Sequence, residues 1–222
     1  MQYHWLLAPL VGVLFLVAPA RAQEVREAPP EPPAGAAANL AIPEHGPDGA
    51  YLTPNYAVSP AEAVWHVRSA LNVAALGCRS SHEAQTIAAY NALIAGKGTV
   101  LAAADAETQA RYHARFGATW RGRHDSAMTR VYNFFAQPPA HDRFCAVAER
   151  LLDEAQAVPT EGFAEFAKTA LVRLEAPFTD FYRRYESYRV ALAGWRNMPS
   201  AMAISAPVRT DVATAVGHFG PE

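Results

Sequence analysis

The stretch SPAEAVWHVRSALNVAALGC, residues 59–78, decides the fold class. It opens with Ser59-Pro60-Ala61-Glu62, a capping box with proline at the first helical position. The Ser59 hydroxyl is placed to accept from the backbone N–H three residues on, and Glu62 to accept from the Ser59 N–H. Val64, Val67, Leu71, Ala74, Ala75 and Cys78 then recur as one apolar helical stripe. Glu62 and His66 share a face of this helix. With Glu62 engaged in the cap, His66 reads as its surface partner, since two ligands alone do not make a metal site.

Downstream the same period continues. Ser80-Ser81-His82-Glu83 reads as a second capping box, with Ile87, Tyr90, Asn91 and Ile94 as the inner face of its helix. Gly96-Lys97-Gly98 predicts a break, because each glycine costs ~1 kcal/mol in a helix interior. Helix resumes from Thr99 to Phe116, and Gly117 to Arg123 reads as a loop. Asp125 to Gln137 and His141 to Val158 follow. Their inward residues are Met128, Val131, Tyr132 and Phe135, then Phe144, Val147, Ala148, Leu151, Leu152 and Ala155. A helix from Phe163 is expected to kink or split at Pro177, which lacks an N–H and clashes with the preceding turn. Beyond it, Phe178, Phe181, Tyr185, Tyr188, Leu192 and Trp195 form a heptad-like seam. Arg183, Arg184, Arg189 and Arg196 lie on the other face, with Asp180 and Arg184 as an i,i+4 pair.

No period-2 runs of Val, Ile or Thr interrupt this pattern. The reading is therefore an all-α single domain, a bundle of about five helices over residues 59–196. Residues 197–222 are aperiodic and read as a flexible tail. Upstream, residues 23–58 read as a Pro/Ala-rich linker, with Leu52, Tyr56 and Val58 beginning to dock.

The N-terminus sets the expected compartment. An apolar run from Trp5 to Ala18 ends in Pro19-Ala20-Arg21-Ala22 before polar Gln23-Glu24, the pattern of a secretory signal peptide cleaved after Ala22. The run is short for a bilayer span of ~20 residues, and Pro9 and Pro19 interrupt it, so cleavage is favoured over an anchor. The expected localisation is the periplasm, with no stable transmembrane segment in the mature chain. Nineteen Lys and Arg against 21 Asp and Glu give a net charge of −2, which argues against a nucleic-acid partner. In an exported chain the two cysteines, Cys78 and Cys145, are expected to pair as a disulfide. Both lie on or beside the apolar stripe of their helices.

Catalytic signatures are absent from the chain. It holds no Cys-x-x-Cys, no Gly-x-Ser-x-Gly, no phosphate loop, no dinucleotide fingerprint and no His-Glu-x-x-His. No catalytic residue, metal ligand or cofactor is expected. The best candidate for a pocket rim is the group His113, Trp120, Arg121, Arg123, His124 and Asp125 around the expected loop.

The block Trp65–Arg79, with Tyr90–Leu93, Thr129–Phe135 and Phe144-Cys145, resembles exported helical proteins of GC-rich Gram-negative bacteria. That resemblance implies export, helices and a paired Cys78–Cys145. Its motifs carry no known catalytic role. The sequence thus points to an exported, non-enzymatic binding or interaction protein of the cell envelope, its partner an envelope protein or an anionic envelope component. The alternatives are an envelope hydrolase with a cleft near His113, His124 and Asp125, or a helical metal or haem carrier.

Overall fold

The computed structural model describes residues 28–198. The expected signal segment with its cleavage point, and the tail from residue 199, lie outside the described residues. The chain divides into two compact units, one of them Pro30–Ala193, the other Met1–Pro29 with Gly194–Glu222. The account below concerns the first.

Its architecture is all-helical. The described elements are α1 (Pro60–Gly77), α2 (Glu83–Gly96), α3 (Gly98–Phe116), α4 (Trp120–Phe135), α5 (His141–Ala157) and α6 (Phe163–Asn197). Single 3-10 turns at Gly117–Thr119, Pro138–Ala140 and Thr160–Gly162 join the later ones. Among the described residues no single helix is long and apolar enough to cross a membrane.

α1 is the central helix and touches α2, α3, α4 and α5. Its capping box is formed: the Glu62 N–H donates to Ser59 Oγ at 3.3 Å, and the Ser59 N–H donates to Glu62 Oε2 at 2.8 Å. All six residues of its expected stripe are buried. The core closes on four phenylalanines from three helices. Phe178 of α6 lies 4.7 Å from Phe134, 5.9 Å from Phe135 and 5.6 Å from Phe144, ring centre to ring centre. The α6 seam is core as far as Tyr185, while Tyr188 and Leu192 are half-buried. The Cys78–Cys145 disulfide is present, joining the end of α1 to the first turns of α5 with Cα atoms 5.7 Å apart.

Several expectations are corrected. Ser80 does not cap α2; its hydroxyl accepts from the His82 N–H and donates to Glu149 of α5 at 2.8 Å. The inner face of α2 is Thr86, Tyr90 and Leu93, while Ile87 and Ile94 are each 38% exposed. This helix carries apolar residues around its whole circumference, so periodicity could not choose a face. Gly117–Arg123 is no loop: after one turn at Gly117, where φ is +54°, helix resumes at Trp120. Helix α6 is not split at Pro177. Proline deprives one carbonyl of its partner, yet Leu174, Pro177, Phe178 and Phe181 are all buried on either side of it. Continuous burial outweighs a local cost of ~3 kcal/mol. Asp180 pairs with Arg183 one turn on, and not with Arg184.

The segment read as a linker is in large part structured. Ala36, Leu40 and Ile42 pack against the core. A tight turn at Gly46–Ala50, with Gly49 at φ +79°, pairs His45 with Tyr51 in an isolated antiparallel bridge. Tyr51 is buried edge-on against Tyr182, and its hydroxyl donates to Glu186 at 2.8 Å. Residues 36–58 thus form an arm along α6. Tyr51, Thr53 and Asn55 are its buried anchors, while Leu52 is exposed.

Candidate functional site

The residues singled out as a pocket rim come together at the α3–α4 turn. At the end of α3, Tyr112, His113 and Phe116 are spaced to share one side. The turn at Gly117 reverses the chain, so that the first turns of α4 return Trp120 and His124 to the same place. Tyr112 and His124 meet edge to face at 5.2 Å, His113 and Trp120 at 6.0 Å, and Trp120 and His124 at 6.4 Å. Guanidinium groups cover this aromatic cluster. Arg121 lies 4.8 Å from the Trp120 ring centre, and Arg115 and Arg123 lie 5.1 and 5.9 Å from that of Phe116. Each such contact is worth ~0.5–1 kcal/mol at an exposed site and holds the side chain outward.

The charge balance of this tip is one-sided. Between Glu107 and Asp125 the chain has four arginines (111, 115, 121 and 123) and no carboxylate. Among the described residues none of the four is in a salt bridge. A cleft of about 390 Å³ opens beside them, lined by Glu62 of α1 and by Arg111, Tyr112, Ala114, Arg115 and Phe116 of α3. Burial pushes the Tyr112 phenol above its ordinary value; Glu62 adds to this, and Arg130 and Arg115 oppose it.

His113 and His124 are titratable groups of this cluster. The His124 side chain is 12% exposed, its Nδ1 stands 3.6 Å from Asp125 Oδ1, and its buried Nε2 has no partner. Among the described residues no hydroxyl or thiol hydrogen-bonds to His113 or His124. Thr119 and Ser126 spend their hydroxyls on the carbonyls of Phe116 and Gly122. A histidine needs a proton donor within hydrogen-bond or one-water reach to act as a base.

A second cluster lies under the arm, and its key member, His66, is not at the surface as helix periodicity predicts. His66 is no surface partner of Glu62: it is 3% exposed, and its Nδ1–H donates to Asn55 Oδ1 at 2.9 Å. The arm brings Asn55 there, a contact that helix periodicity could not show. Thr53 donates to Glu175 of α6, and burial pushes the Glu175 carboxyl above its ordinary value against that hydrogen bond.

Burial lowers the His66 imidazole from 6.5 to about 4. The unfolded chain therefore takes up a proton near pH 6.5 that the folded chain refuses until about pH 4. Folding stability from His66 falls as pH drops through that window, by on the order of 3 kcal/mol. Glu175 acts in the opposite direction, since a raised carboxyl loses stability as pH rises. The expected result is a His66 ring signal that stays neutral to about pH 4 in an NMR titration. Titration near 6.5 would place His66 in water and overturn the burial.

A third cluster surrounds the disulfide. Half-buried His141, at the start of α5, has Nε2 3.2 Å from Gly77 O and 3.6 Å from Cys145 Sγ. No family model, curated protein or solved structure matches this chain.

Proposed function

We propose that the chain is an exported, non-enzymatic helical binding protein of the cell envelope. Its binding surface is the α3–α4 tip, and its partner is an anionic envelope component bearing phosphate or carboxylate groups. The observation that carries this is the set of four exposed arginines, 111, 115, 121 and 123, none in a salt bridge among the described residues and three of them lying over aromatic rings. Guanidinium groups engage planar oxyanions through paired N–H bonds, and stacking on aromatic rings lowers the entropy lost in doing so. The apolar faces of Trp120 and Phe116 add contact area beside the charge. The signal-like N-terminus and the disulfide agree with an oxidising compartment.

The test is co-sedimentation of the mature chain with anionic and with neutral phospholipid vesicles, alongside binding to a soluble polyuronate. Salt-dependent binding to the vesicles identifies a headgroup ligand, and binding to the polymer identifies a carboxylate polymer. The triple substitution R115E/R121E/R123E is expected to weaken either one roughly tenfold to a hundredfold, at about 0.5–1 kcal/mol per contact. Arg150→Glu, on exposed α5 surface, serves as the charge control. No binding at low salt, or equal loss in the control, would refute the proposal.

A further inference from the structure

The geometry points to a latent metal site at Cys78, Cys145 and His141, closed by the disulfide and opened by its reduction. We propose that the reduced chain binds a thiophilic d10 cation such as Zn(II) through the two thiolates and the His141 imidazole.

Three observations converge on it. One ligand atom from each residue lies within 4.8 Å of the other two. Bonds of ~2.3 Å to sulfur and ~2.0 Å to nitrogen set an S···N edge of about 3.5 Å in a tetrahedral zinc site. The Cys145 Sγ–His141 Nε2 separation is already 3.6 Å. Cys78 Sγ lies within 4.8 Å of the imidazole donor, and the two sulfurs have to part to about 3.8 Å for the tetrahedral set to close. The placement is also built. His141 and Cys145 are four apart on α5 and share a face, while Cys78 caps α1, its N–H held by Ala74 O at 2.9 Å. Both cysteines are buried and His141 is half-buried, so an ion enters from the His141 side, where water completes the fourth position.

The chemistry balances as follows. A dithiol transfers two electrons and two protons to the disulfide and leaves as its own disulfide, giving Cys78–SH and Cys145–SH. Zinc binding then releases both thiol protons, and Nε2 exchanges its contact with Gly77 O for the metal, its proton moving to Nδ1. In the oxidised state the sulfurs are spent on each other and the site is silent. The device therefore couples cation binding to the redox state of the surroundings, independently of the arginine-rich tip.

The test uses the mature chain reduced with a phosphine under inert gas and titrated with Co(II). The expected result is a strong thiolate-to-cobalt charge-transfer band that saturates at one ion per chain, is displaced by Zn(II) and is absent from oxidised protein. His141→Ala should shift the ligand-field bands and weaken binding at least about tenfold. The control His82→Ala, an exposed histidine paired with Glu149, should change neither. Circular dichroism separates ligation from folding: Zn(II) raises the melting temperature of the reduced chain and leaves that of the oxidised chain unchanged. The proposal is overturned by absence of the charge-transfer band, by bands unaltered in His141→Ala, or by a reduced chain that unfolds and is not refolded by Zn(II).

Discussion

Replacing both Cys78 and Cys145 by alanine is expected to lower the free energy of unfolding by about 4 kcal/mol. The bond closes a long loop, with 67 residues of sequence separation, that contains α2, α3 and α4. Chain entropy released to the unfolded state grows with the logarithm of that length. Alanine is the right replacement because both positions are buried, and serine would bury two hydroxyls without partners. For a chain of this size the melting temperature should fall by roughly 10 °C, at about 2–4 °C per kcal/mol. Chemical reduction of the native chain should reproduce most of the change. If the melting temperature of the double variant stayed within about 2 °C of the native value, packing of α1 against α5 would be holding the fold without the bond.

Phe178→Ala is expected to cost about 3–5 kcal/mol, measured by urea unfolding. Phe178 lies against Phe134, Phe135 and Phe144, so its removal strips the contact that joins α6 to α4 and α5. The cost combines lost transfer energy with the cavity left between helices that cannot collapse onto it. Phe178→Leu should recover most of the loss, since it restores apolar volume. Val190→Ala, on the same helix but 74% exposed, should change stability by less than about 0.5 kcal/mol. Combined with Phe135→Ala, the loss should be less than additive, because the two side chains share one cavity. A small effect of Phe178→Ala with m unchanged would mean that α6 contributes little to the cooperative core.

Much of the helical frame was legible in local chemistry. The Ser59–Glu62 cap, the stripe from Val64 to Cys78 and the inward residues of α5 follow from backbone hydrogen bonding and a 3.6-residue period. The glycine break between α2 and α3 follows from backbone entropy. These are interactions between near neighbours, so the pattern contains them. Legibility ended where a choice depended on a distant partner. The inner face of α2 was ambiguous because alanine and isoleucine ring the whole helix. Pro177 predicts a kink or split because its local cost is large, and the burial on both sides of it is not local. His113, Trp120, Arg121, Arg123, His124 and Asp125 lie together at the α3–α4 turn, yet the cleft there is lined by other residues, and the expected loop is a single turn between helices. Glycine at 117 and threonine at 119 carry no strong helix signal.

The chain's own pattern was therefore sufficient for an all-helical fold and for the pairing of Cys78 with Cys145. It was insufficient for the arm, for buried His66 and for the ring cluster at the tip. Tyr51 bonds Glu186 across 135 residues, and His66 is neutral because Asn55 and the arm exclude water from it. Helices form from contacts within a turn or two, whereas solvent exclusion is a property of the packed whole. That difference is why the tertiary structure alone placed His141 beside the disulfide and the unpaired arginines together at one end of the bundle.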